Sequence, residues 1–375
     1  MRKVMIAGAG LTRFDRYDGE KGRASKEYYD LGSEAIIKAL KDADMQWSDI
    51  QGAFCGSVYS GTGSGHSVIE KVGLTGIPIV NVENACSSGI SALRLAYQLV
   101  GSGVYDILIA LGFESMPRGP IKSTAWPLWE RLMGFNLQPA SYAMRAVRYM
   151  EETGATEEDF ARVTVKNRKN GALNPYARFQ KEVTLGEVME SRMIASPLRF
   201  LHACPLADGG AAMIICSEDQ LKKKEKAVSI EAAVLTSGTY NSLRVSNPDP
   251  VGLSARQAYE ASGYGPEDMD VVQAYDTMSP GELWDLELLG FCKKGEAPGL
   301  LRDGYFDING KLPVNTDGGL MSRGHPLGAT ALAQCIEIYR QIRGEAGPRQ
   351  IPDAKIGLAH AMGAGPNSGI VILKR

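Results

Sequence analysis

Short apolar runs alternate along this chain with longer stretches in which apolar residues recur every three or four positions. The runs read as buried strands, and the periodic stretches as helices with one buried face. Val4-Met5-Ile6-Ala7 is a first strand ending at Gly8-Ala9-Gly10. From about Ser25 to Asp42 a helix follows, with Leu31, Ala35, Ala39 and Ala43 on its buried face. Gly52 to Gly56 is another short strand. The run Ile77-Pro78-Ile79-Val80 leads into Val82-Glu83-Asn84-Ala85-Cys86-Ser87-Ser88-Gly89. Behind it Ile90, Leu93, Tyr97 and Val100 fall at helical spacing, which predicts strand, tight turn and largely buried helix. Asp106 to Gly112 closes a βαβ unit and predicts a parallel sheet.

From Met116 to about Ile194 the pattern changes. Pro117, Pro120, Pro127 and Pro139 punctuate a stretch with Trp126, Trp129 and Phe135, and two amphipathic helical stretches follow. Thr156-Glu157-Glu158-Asp159 opens the second as a capping-box variant. That helix ends in a basic run, Lys166, Arg168 and Lys169, continued by Arg178 and Lys181. Such a run is usually a solvated face; the sharper reading is a clamp for a phosphate-bearing carrier. The segment reads as an insertion covering the sheet.

After it, Cys204 to Ala212 leads into a strand from Met213 to Cys216, and Lys222 to Lys226 is a charged exposed linker. A new α/β segment begins at Val228. There a Gly-rich turn, Gly318 to Gly328 with His325, precedes a helix carrying Leu332, Cys335, Tyr339 and Ile342 on one face, then a strand from Lys355 to Ala359. Each half thus puts one reactive side chain on a Gly-rich turn at a helix start. That is the pattern of an internal duplication sharing one cleft. The division expected is residues 1–115, completed by about 195–222, as the first half, 116–194 as the insertion, and 223–375 as the second half.

Composition narrows the function classes. A chain of 375 residues exceeds one minimal core, and 44% hydrophobic with 22% charged residues is ordinary for a soluble protein. A net charge of -2 argues against nucleic acid or an anionic membrane as the main partner. No apolar run approaches a membrane span, and no signal peptide is apparent. The six cysteines, Cys55, Cys86, Cys204, Cys216, Cys292 and Cys335, form no C-x-x-C pair, so no metal is expected, and their scatter fits a reducing, cytoplasmic setting. Gly8-Ala9-Gly10 lacks the third glycine of a dinucleotide loop, since position 13 is Arg13.

Cys86 is the foremost nucleophile. Facing the free N–H groups of a helix start, its thiol is expected to ionise readily, with a pKa in the range of roughly 3.5–7.5. A buried, inert cysteine is the commoner role; the matching turn at His325 lifts Cys86 above it. Of the other histidines, His66 and His202 read as structural.

Cys86-Ser87-Ser88 resembles the C-x-S loop of the thiolases. Asn315-Thr316-Asp317-Gly318-Gly319 followed by Gly324-His325-Pro326-Leu327-Gly328-Ala329-Thr330 resembles their G-H-P loop. Asn174 to Gln180, Gly344 to Gly347 and Pro352 to Lys355 are similar to the sterol-carrier-protein type and its bacterial and archaeal relatives. The resemblance covers essentially the whole chain. It implies a duplicated five-layer α-β-α-β-α fold, an α/β class, with an inserted loop domain that holds coenzyme A. It also implies a dimer or larger oligomer, and coenzyme A as co-substrate without any bound cofactor. Cys86 would take the acyl group, His325 would be the base and enolate partner, and the N–H groups of Cys86 and Gly363 would hold the oxyanion. Arg178, Lys166, Lys169 and Asn315 would contact substrate or coenzyme A. Several relatives work with a small OB-fold subunit carrying a zinc ribbon, so such a partner is expected.

Two departures stand out. Tyr275-Asp276-Thr277-Met278 replaces the N-E-A-F or H-D-C-F loop, and Ala361-Met362-Gly363 replaces the late C-x-G loop. No second cysteine matches, so the enolate's proton donor falls to Tyr275 or His360, with Asp276 behind them because a carboxylate repels a developing enolate. The expected reaction is thiolytic cleavage, in degradation, of an unusual 3-oxoacyl-CoA: branched, aromatic or steroid-derived. A thiolase-like retro-aldolase acting on a 3-hydroxyacyl-CoA and a non-catalytic acyl-CoA-binding protein are the alternatives.

Overall fold

The computed structural model describes residues 2–119, 121, 127–134, 136–239, 249–364 and 366–375. Pro120, Trp126 and Phe135 lie outside them. The strands are β1 (Val4–Leu11), β2 (Ala53–Gly56), β3 (Ile79–Val82), β4 (Ile107–Glu114), β5 (Met193–Ala195), β6 (Leu198–Arg199), β7 (Gly209–Ser217), β8 (Val228–Ser237), β9 (Val271–Gln273), β10 (Ile356–Gly363) and β11 (Asn367–Lys374). β5 and β6 form a small hairpin. The others make one sheet in the order β3-β2-β4-β7-β1-β8-β11-β10-β9.

The sheet is mixed, not parallel. β3, β2 and β4 run parallel, whereas β7 is antiparallel to both β4 and β1. The second half repeats this. β9 and β10 are parallel, and β11 is antiparallel to β10 and β8. The hairpin between β10 and β11 is too short for a crossover, so that pair must be antiparallel. Val314 forms a parallel bridge to Val272 of β9, in the place β3 takes beside β2. In both halves the reactive loop therefore leaves the same corner of the sheet.

Helices separate the sheet into layers. The Tyr28–Ala43 and Ser64–Glu70 helices cover one outer face, with Ala35, Ile36, Val68 and Ile69 meeting Ile109, Leu111 and Ile214. Two central helices, Ser88–Gly101 and Leu327–Arg343, pack between the halves, with Ile90, Leu93, Leu332, Ile336 and Tyr339 in the largest core. The Asp249–Ser262 and Ser279–Leu288 helices cover the other outer face through Val251, Ala255, Leu283 and Leu286. The result is five layers, α-β-α-β-α. The insertion supplies the Gln138–Thr153 and Glu157–Ala172 helices. Thr156 Oγ1 accepts from the Asp159 N–H and the Asp159 carboxylate accepts from the Thr156 N–H, the reciprocal cap read from the sequence.

Two contacts bring the reactive loops together. A Cβ on Gly112 would lie 2.2 Å from the Gly328 carbonyl oxygen, so only glycine lets the His325 loop seat on β4. Glu114, wholly buried, accepts from the N–H groups of Val58, Tyr59 and Gly328 and so ties the halves across the cleft.

Candidate active site

Cys86 sits in a tight elbow. Ala85 adopts φ +49°, the left-handed region that costs a β-carbon-bearing residue energy. The elbow is held by its own small residues. Ser88 Oγ accepts from the Asn84 N–H at 2.9 Å and donates to the Ala85 carbonyl at 2.6 Å. Ser87 Oγ donates to the Ala361 carbonyl of β10 at 3.3 Å. The helix begins at Ser88, so Cys86 lies just outside its first turn.

His325 is fully buried and its tautomer follows from its neighbours. Thr330 Oγ1 donates its one hydrogen to the Pro326 carbonyl at 2.8 Å. It must therefore accept from His325 Nδ1–H, 2.7 Å away. That leaves Nε2 as the acceptor, 3.2 Å from the Tyr275 hydroxyl. The two rings meet edge to face at 5.8 Å. The Tyr275 hydroxyl also lies beside the Cys86 thiol, close enough to bias its ionisation. The order is thus Cys86 Sγ, Tyr275 Oη, His325 Nε2, with Thr330 fixing the far end.

Burial sets the resting charges. Burial pushes the Cys86 thiol up to about 11, although the Tyr275 hydroxyl and the N–H groups of Cys86 and Ala364 beside it favour its ionised form. This replaces the readily ionised thiolate expected from the helix start: desolvation outweighs the dipole. Burial, helped by the Arg323 guanidinium, lowers His325 to about 3. Tyr275 is raised well above its ordinary value by burial and by the neighbouring Cys86 and Tyr142. All three groups rest neutral.

The remaining sequence candidates go elsewhere. His360 points away from the thiol into the outer helical layer, with Nε2 3.2 Å from Ser368 Oγ and Nδ1 3.6 Å from Asp285. Asp276 accepts from the Leu320 and Met321 N–H groups and from Asn167, as an internal strut. Lys166 is buried in an ion pair with Glu282 at 2.9 Å and donates to the Val314 carbonyl, so it faces no solvent phosphate. Asn315 is also buried, donating to Glu282 and accepting from the Ala274 N–H. Lys169 is exposed. Arg178 is half-buried and donates to the Leu206 carbonyl. The amide facing the Cys86 sulfur belongs to Ala364, next to the expected Gly363.

Three further residues join the site, and Tyr142 among them carries no sequence signal. The Tyr142 hydroxyl lies 3.3 Å from Thr277 Oγ1, and Thr277 lies beside Tyr275 in turn. Cys204 donates its N–H to the Thr277 carbonyl, and burial, followed by the charges of Asp276 and Cys86, raises its thiol well above the ordinary value. Only the insertion's path over the sheet brings Tyr142 here.

Residues 4–219 match the family model for the thiolase N-terminal domain, and residues 236–375 the thiolase C-terminal domain-like model. Sterol carrier protein 2 of Bos taurus is 40% identical over 97% of this chain and 70% of its own length. The benzoylsuccinyl-CoA thiolase subunit BbsB of Thauera aromatica is 39% identical over 97% of this chain and 95% of its own. The acetyl-CoA acetyltransferase of Methanothermobacter thermautotrophicus is 37% identical over the full length of both. Among solved structures, an Ltp2-ChsH2(DUF35) aldolase superposes with TM-score 0.88 at 30% identity, covering 99% of this chain and 98% of the other. Human mitochondrial 3-ketoacyl-CoA thiolase, at 18% identity and TM-score 0.73 over 100% of this chain and 98% of its own, shares the fold. With both domain models matched in order and the elbow cysteine and the G-H-P histidine both set against Tyr275, the chain belongs to the thiolase family of acyltransferases.

Proposed function

We propose that this protein cleaves a 3-oxoacyl-CoA with coenzyme A through an acyl-enzyme on Cys86, in the degradative direction. The observation that carries the reading is the line from Cys86 through the Tyr275 hydroxyl to His325 Nε2. As the sulfur attacks C3 of the substrate, its proton passes to the Tyr275 oxygen while the Tyr275 hydroxyl proton passes to Nε2. The C3 oxygen becomes an alkoxide held by the N–H groups of Cys86 and Ala364. Collapse re-forms the carbonyl and breaks the C2–C3 bond, whose electron pair leaves in a thioester enolate. The imidazolium returns the proton through Tyr275 to C2. His325, disfavoured as a cation by burial, gives that proton up readily. Coenzyme A then attacks the acyl-enzyme; the same pair takes its thiol proton and restores it to Cys86. Tyr275 and His325 together fill the place of the missing second cysteine.

The substrate is an unusual one, branched, aromatic or steroid-derived, as the altered Tyr275 loop suggests. Lys169 and Arg178 are the candidates for coenzyme A contacts. A homodimeric core with a small OB-fold partner fits the likeness to a structure described as a DUF35 complex. That likeness and the interposed Tyr275 also favour a second reading, a retro-aldolase on a 3-hydroxyacyl-CoA. Intact-protein mass spectrometry separates them. A thiolase gives a mass increase with 3-oxoacyl-CoA esters that Cys86→Ala abolishes. Cleavage of a 3-hydroxyacyl-CoA that survives Cys86→Ala, with no adduct, establishes the aldolase.

A further inference from the structure

The Leu327–Arg343 helix has the His325 loop at its N-terminal end and a cavity of about 420 Å³ towards its other end. Arg340, in the cavity wall, stands about 20 Å along the helix from Leu327, so this space is separate from the reacting groups. Its volume is that of a small-molecule site. Leu11, Pro175, Ala346 and Pro348 give it apolar walls. The polar walls are tied down. Tyr176 donates its N–H to Asn174 Oδ1 at 3.0 Å, and its carbonyl accepts from the Phe14 N–H at 2.9 Å. Arg349 donates to Glu337 at 2.9 Å and to the Leu173 carbonyl at 3.3 Å.

Around this cavity donors outnumber acceptors. The Arg340 guanidinium lies 4.4 Å over the Tyr176 ring, and Lys38 Nζ stands 5.9 Å from the same ring. Neither the Arg340 guanidinium nor the Tyr176 hydroxyl makes a hydrogen bond or ion pair with any described residue. Lys38 donates to the Leu11 carbonyl and to Glu34, which leaves one of its three hydrogens. The neighbouring carboxylates are all committed. Asp42 accepts from the Ala9 N–H, the Tyr339 hydroxyl and Arg343. Glu345 is taken by Arg343 and Lys226. Glu337, one turn before Arg340, is taken by Thr316, Gln341 and Arg349. A guanidinium, a hydroxyl and an ammonium hydrogen thus converge on one apolar-walled space without an acceptor from the protein.

We infer that this cavity is a second binding site, for a small organic carboxylate held on Arg340 with its hydrocarbon body against Leu11, Pro175 and Pro348. A carboxylate presents two oxygens to the planar guanidinium fork, the pairing that arginine makes best. One negative charge also balances the one uncommitted cation, because Lys38 is already paired with Glu34 at 2.8 Å. A phosphate dianion would leave one charge uncompensated. The inference goes beyond the acyl-transfer reading and does not draw on it.

The test is a saturation-transfer NMR titration of the wild-type protein with benzoate, phenylacetate and hexanoate, each compared with its uncharged amide. Inorganic phosphate is titrated in parallel. At least one carboxylate should bind about 10- to 100-fold tighter than its amide, the range of a charge-assisted hydrogen bond. Arg340→Gln should shrink that ratio below about threefold, and Arg340→Lys should keep part of it. The ratio is read on one sample, so a loss of folded protein does not imitate it. A carboxylate seated in the catalytic cleft would keep its preference in Arg340→Gln, and that result overturns the inference. So does a wild-type ratio below about threefold, the absence of any binding tighter than about 10 mM, or phosphate binding tighter than every carboxylate. Failure of the thiolase reading shows separately, as the absence of a Cys86 adduct in the mass measurement.

Discussion

The Cys86 thiol should alkylate as an un-ionised thiol. With its pKa at about 11, about one molecule in a thousand carries a thiolate at pH 8. An ordinary cysteine near 8.5 is about one-quarter ionised there, so Cys86 should react with iodoacetamide about 200-fold more slowly. Its rate should climb about tenfold per pH unit without levelling off below pH 10. Intact mass at fixed times from pH 6 to 10 measures this, with Cys86→Ala as the blank. The other cysteines interfere little: burial holds Cys55, Cys216, Cys292 and Cys335 near 12 and raises Cys204 well above its ordinary value. Tyr275→Phe removes a hydroxyl that favours the thiolate, so the profile should move further alkaline. The reasoning has a kinetic consequence. Cys86 at about 11 and His325 at about 3 put the free thiolate–imidazolium pair on the order of 11 kcal/mol above the neutral pair. A turnover near 10 s⁻¹ corresponds to a barrier of about 16 kcal/mol. The ion pair is thus affordable as a passing state and not as a stored one, and the proton moves only as substrate is attacked. A rate that levels off at or below pH 8, or faster alkylation in Tyr275→Phe, would refute this.

Thr330→Val keeps the side chain's shape but removes the acceptor that fixes His325 Nδ1–H. Steady-state kinetics should show kcat falling by about 10- to 10²-fold, part of what general acid–base help supplies, with KM nearly held; a change confined to KM would contradict the assigned tautomer. Lys166→Met leaves Glu282 buried and unpaired and should cost about 3–5 kcal/mol in urea unfolding. Should the midpoint stay put while KM for coenzyme A rises tenfold, Lys166 belongs to the coenzyme A clamp after all. His360, held at about 3 by burial, resists protonation that the unfolded chain accepts below about 6.5. Its contribution is therefore complete above pH 6.5 and lost as pH falls through the interval down to 3. The stability difference between wild type and His360→Gln should shift against wild type by about 1.4 kcal/mol from pH 7.5 to 5.5. Parallel curves in urea titrations at the two pH values would show that His360 is not held neutral.

The sequence by itself determined what is local. The elbow at Cys86 follows from an apolar strand, small residues and a helix-spaced face within some twenty positions, and the His325 turn repeats that pattern. The duplicated topology follows from the same rhythm, because each half must bury similar faces. Tertiary structure decided what depends on distant partners. The Cys86 pKa is governed by how much protein surrounds the sulfur, and that outweighs the helix start visible in the sequence. Lys166 looks like its exposed neighbour Lys169, yet one residue type on one helix ends in opposite places because the second half offers Glu282 to one of them. His360 and Ala361 alternate along β10; the alternation is sequence, but which of them faces Cys86 depends on the packed halves. Tyr142 reaches the site only because the insertion folds back over the sheet, a contact that no local pattern encodes.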